Sequence, residues 1–446
     1  MALKALDIFK HLPKTNCGKC GHPTCLAFSM QMAAKKADLA DCPEVTEEGR
    51  AALEGASSPP IRLVTVGKGD GAVQIGNETV LFRHDETFYH QTGVAVRISD
   101  DVDEAALQAQ IDAVRALSFE RVGQRISVDM IAVDNVSGDK DLFARAVSAA
   151  SATQMALILM TSDPSALAAA LAICADQSPL IYRADASNWE AMAAAACQSC
   201  CPLAIDASDL EQAADLTAKL NKAGVQDIVL DVTSSGLSAT LSALTKTRRL
   251  ALRKNFRPLG YPTMAFPSSS DASLAMTEAA SFVCKYAGIV VIDAKEPWQV
   301  LPLLTVRQNI CTDPRKPVQV EAKLYSIGAV TDKSPLLVTT NFSLTYYTVA
   351  GDVEASRVPS YIGVVDTEGT SVLTAWASEK LTVEKLIKLL NSEEVKSRVS
   401  HNKVIIPGYV AVMSGKLEDE SGWQVLVGPR ESSGISKYLK TMWKAD

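Results

Sequence analysis

Several features that define other protein classes are missing from this 446-residue sequence. No uninterrupted apolar run approaches the roughly 18 residues of a membrane-spanning helix, and the opening MALKALDIFKHLPKT has no apolar stretch typical of a signal peptide. The charges, 44 Lys and Arg against 51 Asp and Glu, show no basic excess of the kind that binds nucleic acid. We therefore expect a soluble, cytoplasmic protein that binds neither nucleic acid nor a membrane.

The ten cysteines are unevenly distributed along the chain. Because the cytoplasm keeps thiols reduced, cysteines in a long intracellular chain are more often metal ligands or buried apolar groups than disulfides. Four of them stand near the N-terminus, with two, four and sixteen residues between successive cysteines, and the other six are dispersed. The close group is Cys17, Cys20, Cys25 and Cys42.

The residues around this group suit a cluster-binding loop. Gly18 and Gly21 permit a tight backbone, and Pro43 follows the last cysteine, as in ferredoxins. We predict a 4Fe-4S cluster in a domain at residues 1–58, with structural zinc or unconnected buried thiols as the alternatives. Zinc folds usually repeat C-x-x-C twice, and this sequence does not.

The middle of the chain alternates strand-like and helical segments. A small-residue, proline-bearing linker at 47–60 precedes the short strand-like segments RLVTVG and AVQIG, and the alternation follows. Eight strands predict a closed parallel barrel of the TIM type, (β/α)8, within an α/β multidomain protein, and an open doubly wound sheet is the alternative. The barrel domain spans 59–325, with an N-terminal β cap and a C-terminal linker. The predicted strands are 94–98, 126–133, 156–160, 180–182, 203–206, 228–231, 263–266 and 289–293.

Polar residues follow these strands, where a barrel carries its chemistry. The same residue types also cap helices, so we nominate no catalytic residue in the barrel. The residues are Asp134, Asn135, Asp163, Asp185, Asp206, Asp231 and Asp293.

A third domain, at 326–446, again has an α/β pattern. Strands are predicted near 336–339, 361–365, 403–406 and 424–427. Two strand-to-helix loops, DTEGTSVL and GPRESSGI, place Gly and hydroxyl residues before a helix, which favours a bound cofactor with anionic groups.

The CGKCGHPTC motif with its distant CP ligand, the barrel pattern, and the phrases DTEGTSVLTAW and GYVAVMSGKLEDESGWQVLVGPRESSGI resemble one known family. This is the large (gamma) subunit of the corrinoid/iron-sulfur protein of the anaerobic acetyl-CoA (Wood-Ljungdahl) pathway. The resemblance implies a 4Fe-4S cluster on the four clustered cysteines and a cobamide in the C-terminal domain. Loop chemistry and resemblance together predict the cobamide contacts Thr340, Asn341, Thr345, Tyr346, Gly369, Thr370, Ser371, Val372, Leu373, Ser433 and Gly434.

The resemblance implies a methyl carrier in which cobalt, rather than a side chain, is the nucleophile. Methyltetrahydrofolate, brought by a separate methyltransferase, would donate the methyl group, and the nickel site of carbon monoxide dehydrogenase/acetyl-CoA synthase would accept it. The cluster would return oxidised cobalt to its reactive state. A small subunit completing a heterodimer and a reductive activator are the other implied partners. The alternatives are an electron-transfer or dehydrogenase subunit without corrinoid, and a zinc-stabilised scaffold.

Many cobalamin-binding methyltransferases ligate cobalt with the histidine of a D-x-H-x-x-G motif. None of the five histidines here has Asp two residues before it. We therefore predict a base-off cobamide without that protein ligand, a state that eases reduction to cobalt(I).

Overall fold

The computed structural model of the protein describes residues 5–34, 36–46, 49–50, 53, 59–82, 85, 88–312 and 317–443. Most of the predicted linker at 47–60 lies outside these residues. The chain divides into two compact units. One contains the residues up to Ser118 together with 127–311, and the other contains 119–126 together with the residues from Thr312 onward. No described helix is long and apolar enough to span a membrane.

The N-terminal module contains the helices Ala5–His11 and Cys25–Ala33. Thr24 caps the second helix by accepting a hydrogen bond of 3.0 Å from the backbone N–H of Ala27. A small core unites the module, and its buried residues are Ile8, Leu12, Cys25, Phe28, Leu39, Cys42 and Leu53.

Eight parallel strands form a closed barrel, which confirms the predicted TIM-type fold. Neighbouring strands follow the chain order around the ring, and the open-sheet alternative is wrong for this part of the protein. A separate antiparallel pair, β1 (Val64–Val66) and β2 (Val73–Ile75), precedes the barrel, as predicted for the cap. The barrel strands are β3 (Gly93–Ser99), β6 (Met130–Asp134), β7 (Ala156–Met160), β8 (Leu180–Ala184), β9 (Leu203–Asp206), β10 (Ile228–Asp231), β11 (Thr263–Ala265) and β12 (Ile289–Ile292).

Helices connect these strands, and aspartates begin many of them. The carboxylate of Asp139, for example, accepts hydrogen bonds from the backbone N–H groups of Asp141 and Leu142. These bonds satisfy amides that have no partner in the first helical turn. The helices are Glu104–Ala116, Lys140–Ser151, Pro164–Cys174, Trp189–Ser199, Leu210–Lys222, Leu237–Lys254, Ala272–Cys284 and Pro297–Ile310.

The predicted strand 126–133 is wrong as one element. The structure has a hairpin of β4 (Ser118–Arg121) and β5 (Gln124–Ser127), followed by the barrel strand β6. Val122 and Gly123 at the hairpin turn both have positive φ, 53° and 67°, as a two-residue turn between twisted strands favours.

The C-terminal unit contains a five-stranded sheet in the order β13-β15-β14-β16-β17. The last four strands in the chain are parallel, and β13 pairs antiparallel with β15 at the edge. The strands are β13 (Leu324–Ile327), β14 (Leu336–Thr340), β15 (Ser360–Val365), β16 (Lys403–Ile406) and β17 (Gln424–Val427). The helices are Ser343–Ser356, Val372–Ala377, Val383–Leu390, Glu393–Lys396, Ser414–Ser421 and Ile435–Met442.

Strand order reverses at β14 in this sheet. After β14 the chain pairs β15 on one side and then crosses to place β16 on the other. Strands β14 and β15 share five register pairs, whereas β14 and β16 share only Leu337 with Ile405. The loops beyond β14 and β16 run in opposite directions, and such a switch point opens a crevice at the carboxyl ends of the strands.

Candidate functional site

A cavity of about 320 Å³ lies at this switch point. Its walls come from β14, β16 and the segments that follow the four parallel strands. The lining surface is mainly apolar, as in many cofactor pockets. The lining residues are Leu337, Val338, Thr339, Leu344, Thr345, Thr348, Val349, Ser371, Val372, Leu373, Ile405, Ile406, Pro407, Tyr409, Gly428, Pro429, Arg430, Glu431, Ser432 and Ile435.

Thr339 places an unpaired hydroxyl in the cavity wall. Its side chain is 2% exposed, and its Oγ1 has no hydrogen-bond partner among the described residues. A buried hydroxyl without a partner costs free energy, so a ligand that hydrogen-bonds to Thr339 would recover it.

The loop 366–371 reaches the cavity through Ser371, and Asn341 fixes its shape. The buried Asn341 Oδ1 accepts hydrogen bonds from the backbone N–H groups of Thr367 and Gly369, each at 3.0 Å. Its Nδ2 donates to Asp366 at 2.9 Å and to Gln319 at 3.1 Å. Asn341 therefore holds the loop and has its own hydrogen bonds satisfied within the protein.

Gly369 occupies a position in this loop that other residues would strain. Its φ is +72°, and a Cβ atom there would lie 2.7 Å from Cγ of Gln319 and 3.1 Å from Cβ of Pro317. Both the left-handed backbone and the close neighbours require glycine.

The structure places four of the eleven predicted cobamide contacts in the cavity lining and seven outside it. Thr345, Ser371, Val372 and Leu373 line the cavity together. The others lie outside its lining: Tyr346 packs against Tyr325 and Tyr347, with ring centroids 4.5 Å and 5.0 Å away. The remaining residues outside the lining are Thr340, Asn341, Gly369, Thr370, Ser433 and Gly434.

Six polar residues of the lining were not among the predicted contacts, namely Thr339, Thr348, Tyr409, Arg430, Glu431 and Ser432. Tyr409 donates a hydrogen bond of 2.5 Å to Glu431, which joins the loops after β16 and β17 and raises the pKa of the Tyr409 hydroxyl. The phrase GPRESSGI pointed to the loop of Arg430 and Ser432. All five residues of β14 are buried, so alternation could not reveal which threonine faces the cavity.

Histidine is absent from the described residues that line the cavity. The one histidine of the C-terminal unit, His401, lies within hydrogen-bond distance, 2.8 Å, of the Ser334 carbonyl oxygen and packs against Trp443. Ser334 lies just before the amino end of β14, whereas the cavity lies at the carboxyl ends of the strands. His401 is therefore at the end of the sheet opposite the cavity.

The four clustered cysteines differ in how they relate to the core of the N-terminal module. Cys25 and Cys42 are buried in that core, Cys20 packs against it, and Cys17 is exposed. Cys25 begins a helix, and its backbone N–H donates a hydrogen bond of 2.9 Å to Oδ1 of Asn16. Among the described residues, no three His, Cys, Asp or Glu side chains converge as metal ligands.

The chemistry of this module fits a thiolate-bound cluster. A hydrogen bond from the Lys19 backbone, and a second from the Thr15 hydroxyl, lower the pKa of the Cys17 thiol. This favours the thiolate, the form that binds metals. Gly18 and Gly21 adopt φ values of 71° and 80°, so the loop takes the left-handed turns that its glycines predicted.

The chain therefore combines a cysteine-rich module, a parallel barrel and an α/β unit with a switch-point cavity in one multidomain α/β protein. The family model described as CO dehydrogenase/acetyl-CoA synthase delta subunit matches residues 63–439. A second model, described as "Putative Fe-S cluster", matches residues 12–44, which include all four clustered cysteines. The chain belongs to the family of the CO dehydrogenase/acetyl-CoA synthase delta subunit and the corrinoid/iron-sulfur protein large subunit.

Relatives match over nearly their full length. The corrinoid/iron-sulfur protein large subunit of Moorella thermoacetica is 46% identical over 443 residues, 99% of either chain. The acetyl-CoA decarbonylase/synthase complex subunit gamma of Methanothermobacter thermautotrophicus is 37% identical, covering 98% of this chain and 99% of its own. These relatives confirm the predicted family. A solved dihydropteroate synthase of Thermus thermophilus covers 56% of this chain and 99% of its own, with 14% identity and a TM-score of 0.40.

Proposed function

We propose that this protein is a methyl carrier of the anaerobic acetyl-CoA pathway, with a cobamide in the switch-point cavity and a 4Fe-4S cluster in the N-terminal module. The observation that carries the proposal is the buried, unpaired Thr339 hydroxyl in a cavity that has no histidine among its described lining residues. When bound, the cobamide supplies the cobalt that takes a methyl group from methyltetrahydrofolate and passes it to acetyl-CoA synthase.

The cavity residues divide by chemistry. The hydroxyls of Thr339, Thr345 and Ser371 would hydrogen-bond to polar groups of the cobamide, and the aliphatic lining would contact its apolar parts. Arg430 is the basic residue of the described lining, and its guanidinium would pair with the phosphate of a nucleotide tail. At about 320 Å³ the cavity is too small to enclose a whole cobamide. Part of the cofactor would therefore remain outside it, next to the exposed side chains of Leu344 and Leu373.

The lower face of the cobalt would have no strong protein ligand. No histidine stands among the described lining residues, so the lining offers cobalt no imidazole. Removing an electron-donating axial ligand eases reduction to cobalt(I), which is the state that accepts a methyl group.

The four thiols would hold the cluster as thiolates. When bound, the cluster supplies the electron that reduces oxidised cobalt to its reactive state. Ligation by cysteine alone is consistent with a low reduction potential. We further infer that the protein works with a small subunit as a heterodimer, and that it meets a methyltransferase, carbon monoxide dehydrogenase/acetyl-CoA synthase and a reductive activator.

Absorption spectroscopy of the anaerobically purified protein tests this proposal. Corrinoid bands together with iron-sulfur bands are expected. Iron-sulfur bands without corrinoid would instead favour an electron-transfer or dehydrogenase subunit, and a colourless protein would favour a zinc-stabilised scaffold.

Electron paramagnetic resonance tests the axial ligand separately. The cobalt(II) form is expected to show no hyperfine splitting from an axial nitrogen. Such splitting would contradict the base-off state while leaving the carrier function standing.

A further inference from the structure

A second cavity, of about 830 Å³, lies in the other unit, at the carboxyl ends of the barrel strands. In this fold the same end of the barrel carries the ligand site. Asp163 and Asp185 were predicted as either site residues or caps. Asp163 accepts hydrogen bonds from backbone N–H groups in the first turn of the helix Pro164–Cys174, and Asp185 accepts them from Ser187 and Asn188, just before the helix Trp189–Ser199. The other residues of that prediction line the cavity, and they are Asp134, Asn135, Asp206, Asp231 and Asp293.

Two arginines of the cavity already have carboxylate partners. Arg97 makes a bidentate pair with Asp293, its Nε and Nη2 lying 2.7 Å and 2.8 Å from the carboxylate oxygens. Arg97 Nη1 also lies 3.4 Å from Asp134. Arg183 lies 3.6 Å from Asp206. Three carboxylates and two guanidiniums therefore form ion pairs across the mouth.

Asp231, at the end of β10, has no such partner. It is 6% exposed, and its oxygens accept hydrogen bonds of 2.9 Å from the Thr233 backbone and 2.8 Å from the Tyr182 hydroxyl. Among the described residues no basic group lies within ion-pair distance of it. Burial raises the pKa of this carboxyl, because its charge is desolvated without a cation beside it.

Lys295, just after β12, is a cation without a carboxylate partner among the described residues. Burial lowers the pKa of the Lys295 ammonium, and the nearby carboxylate of Asp293 opposes this shift. Both oxygens of Asp293, however, already accept hydrogen bonds from Arg97. No carboxylate among the described residues makes an ion pair with Lys295. Both residues line the same cavity, Asp231 as the last residue of β10 and Lys295 three residues after β12 ends.

We propose that the barrel mouth binds a small organic zwitterion, whose amino, amidino or guanidino group pairs with Asp231 and whose carboxylate pairs with Lys295. Glu296, which also lines the mouth, is the N-cap residue of the helix Pro297–Ile310. The other charged groups of the described lining are paired with one another, so Asp231 and Lys295 are the two that a ligand can satisfy. The rings of Tyr182 and Phe266, 5.4 Å apart, give the intervening part of the ligand an apolar wall. Carboxylates paired in low-dielectric sites gain more from a cation than exposed ones do.

Calorimetric titration of the full-length protein, purified with its cofactors, tests this with three probes. γ-Guanidinobutyrate carries both charged ends, butylguanidinium lacks the carboxylate, and butyrate lacks the guanidinium. The wild-type protein is expected to bind γ-guanidinobutyrate about tenfold more tightly than either single-ended probe. Equal affinities for the three probes, or no binding of γ-guanidinobutyrate, would overturn the proposal.

Two variants test which residue binds each charged end of the ligand. Lys295→Met is expected to reduce the affinity for γ-guanidinobutyrate to that for butylguanidinium, with butylguanidinium itself unaffected. Asp231→Asn is expected to weaken both guanidinium probes. If Lys295→Met weakens both probes equally, it acts by disturbing the cavity, and the proposed pairing is wrong. The exposed Lys222→Met and Asp215→Asn, on the helix Leu210–Lys222, are matched controls that should bind like the wild type.

Discussion

The backbone N–H of Gly369 donates a hydrogen bond of 3.0 Å to the side-chain oxygen of Asn341. Through this bond and the one from Thr367, a residue at the end of β14 sets the shape of the loop after β15. We predict that Asn341→Ala lowers the free energy of unfolding by about 2–4 kcal/mol, because it leaves buried amides without an acceptor. Chemical denaturation measures this change.

The same substitution should reduce corrinoid retention, measured as cobalt content after dialysis, because Ser371 and its neighbours lose their position. Asn391→Ala, at an exposed helix end, is the control and should retain the full cobalt content. If Asn341→Ala destabilises the protein but keeps its cobalt, the loop does not shape the cofactor site.

Gly369→Ala tests the loop backbone. The new methyl group would crowd Gln319 and Pro317 at a φ of +72°, so we expect lower cobalt content with an unchanged iron-sulfur spectrum. Gly351→Ala, in the helix Ser343–Ser356, meets no atom within 4 Å and should retain cobalt normally. An unaltered cobalt content in Gly369→Ala would remove Gly369 from the site.

Thr339 and Thr340 form a matched pair. Both hydroxyls are buried and have no hydrogen-bond partner among the described residues, but of the two only Thr339 lines the cavity. Thr339→Val should weaken corrinoid binding about tenfold, or about 1.4 kcal/mol, through loss of one hydrogen bond. Thr340→Val should leave binding unchanged and stabilise the fold by about 1 kcal/mol, because it removes an unsatisfied hydroxyl. Equilibrium binding of the cobamide to the cofactor-free protein, with thermal melts, compares the two. The reverse ranking would place Thr340 at the cofactor.

Cys25→Ala should abolish the iron-sulfur absorption and lower the iron content, because it removes one proposed cluster thiolate from the module core. Cobalt content should remain, since the corrinoid cavity is built by residues after 336. Cys197→Ser, at an exposed cysteine of the helix Trp189–Ser199, is the matched control and should keep its iron. Normal iron content in Cys25→Ala would show that the cluster does not need this thiol.

Asp231 makes stability depend on pH. Burial raises the pKa of its carboxyl in the folded protein above the ordinary value of 3.8, so ionisation costs folded-state stability as pH rises through the folded pKa. Asp231→Asn should therefore melt a few degrees higher than the wild type at neutral pH, and the difference should vanish as pH falls toward 3.8. Asp215→Asn, on the exposed helix face, should show no such pH-dependent gain. A gain for Asp231→Asn that persists in acid would mean that desolvation of the carboxylate is not its cause.

Local sequence patterns predicted the strands and helices of the barrel and the cysteine module. Barrel strands such as β7 are apolar on both faces, because helices cover one side and the core fills the other, so they are visible as continuous apolar runs. Aspartates such as Asp139 marked helix starts, since the need of the first helical turn for acceptors is local. The hairpin at 118–127 escaped prediction because its strands are short and partly exposed.

The contacts between polar residues that are distant in the chain became visible only in the folded protein. Thr339 and Thr340 are adjacent and both buried, yet of the two only Thr339 lines the cavity beside β14. Likewise Asp231 and Asp293 both end barrel strands, and it is the reach of Arg97 that pairs one and leaves the other without a cation among the described residues. Ion pairs and hydrogen bonds between side chains on different strands depend on distances between residues far apart in the chain. Local sequence patterns do not predict those distances.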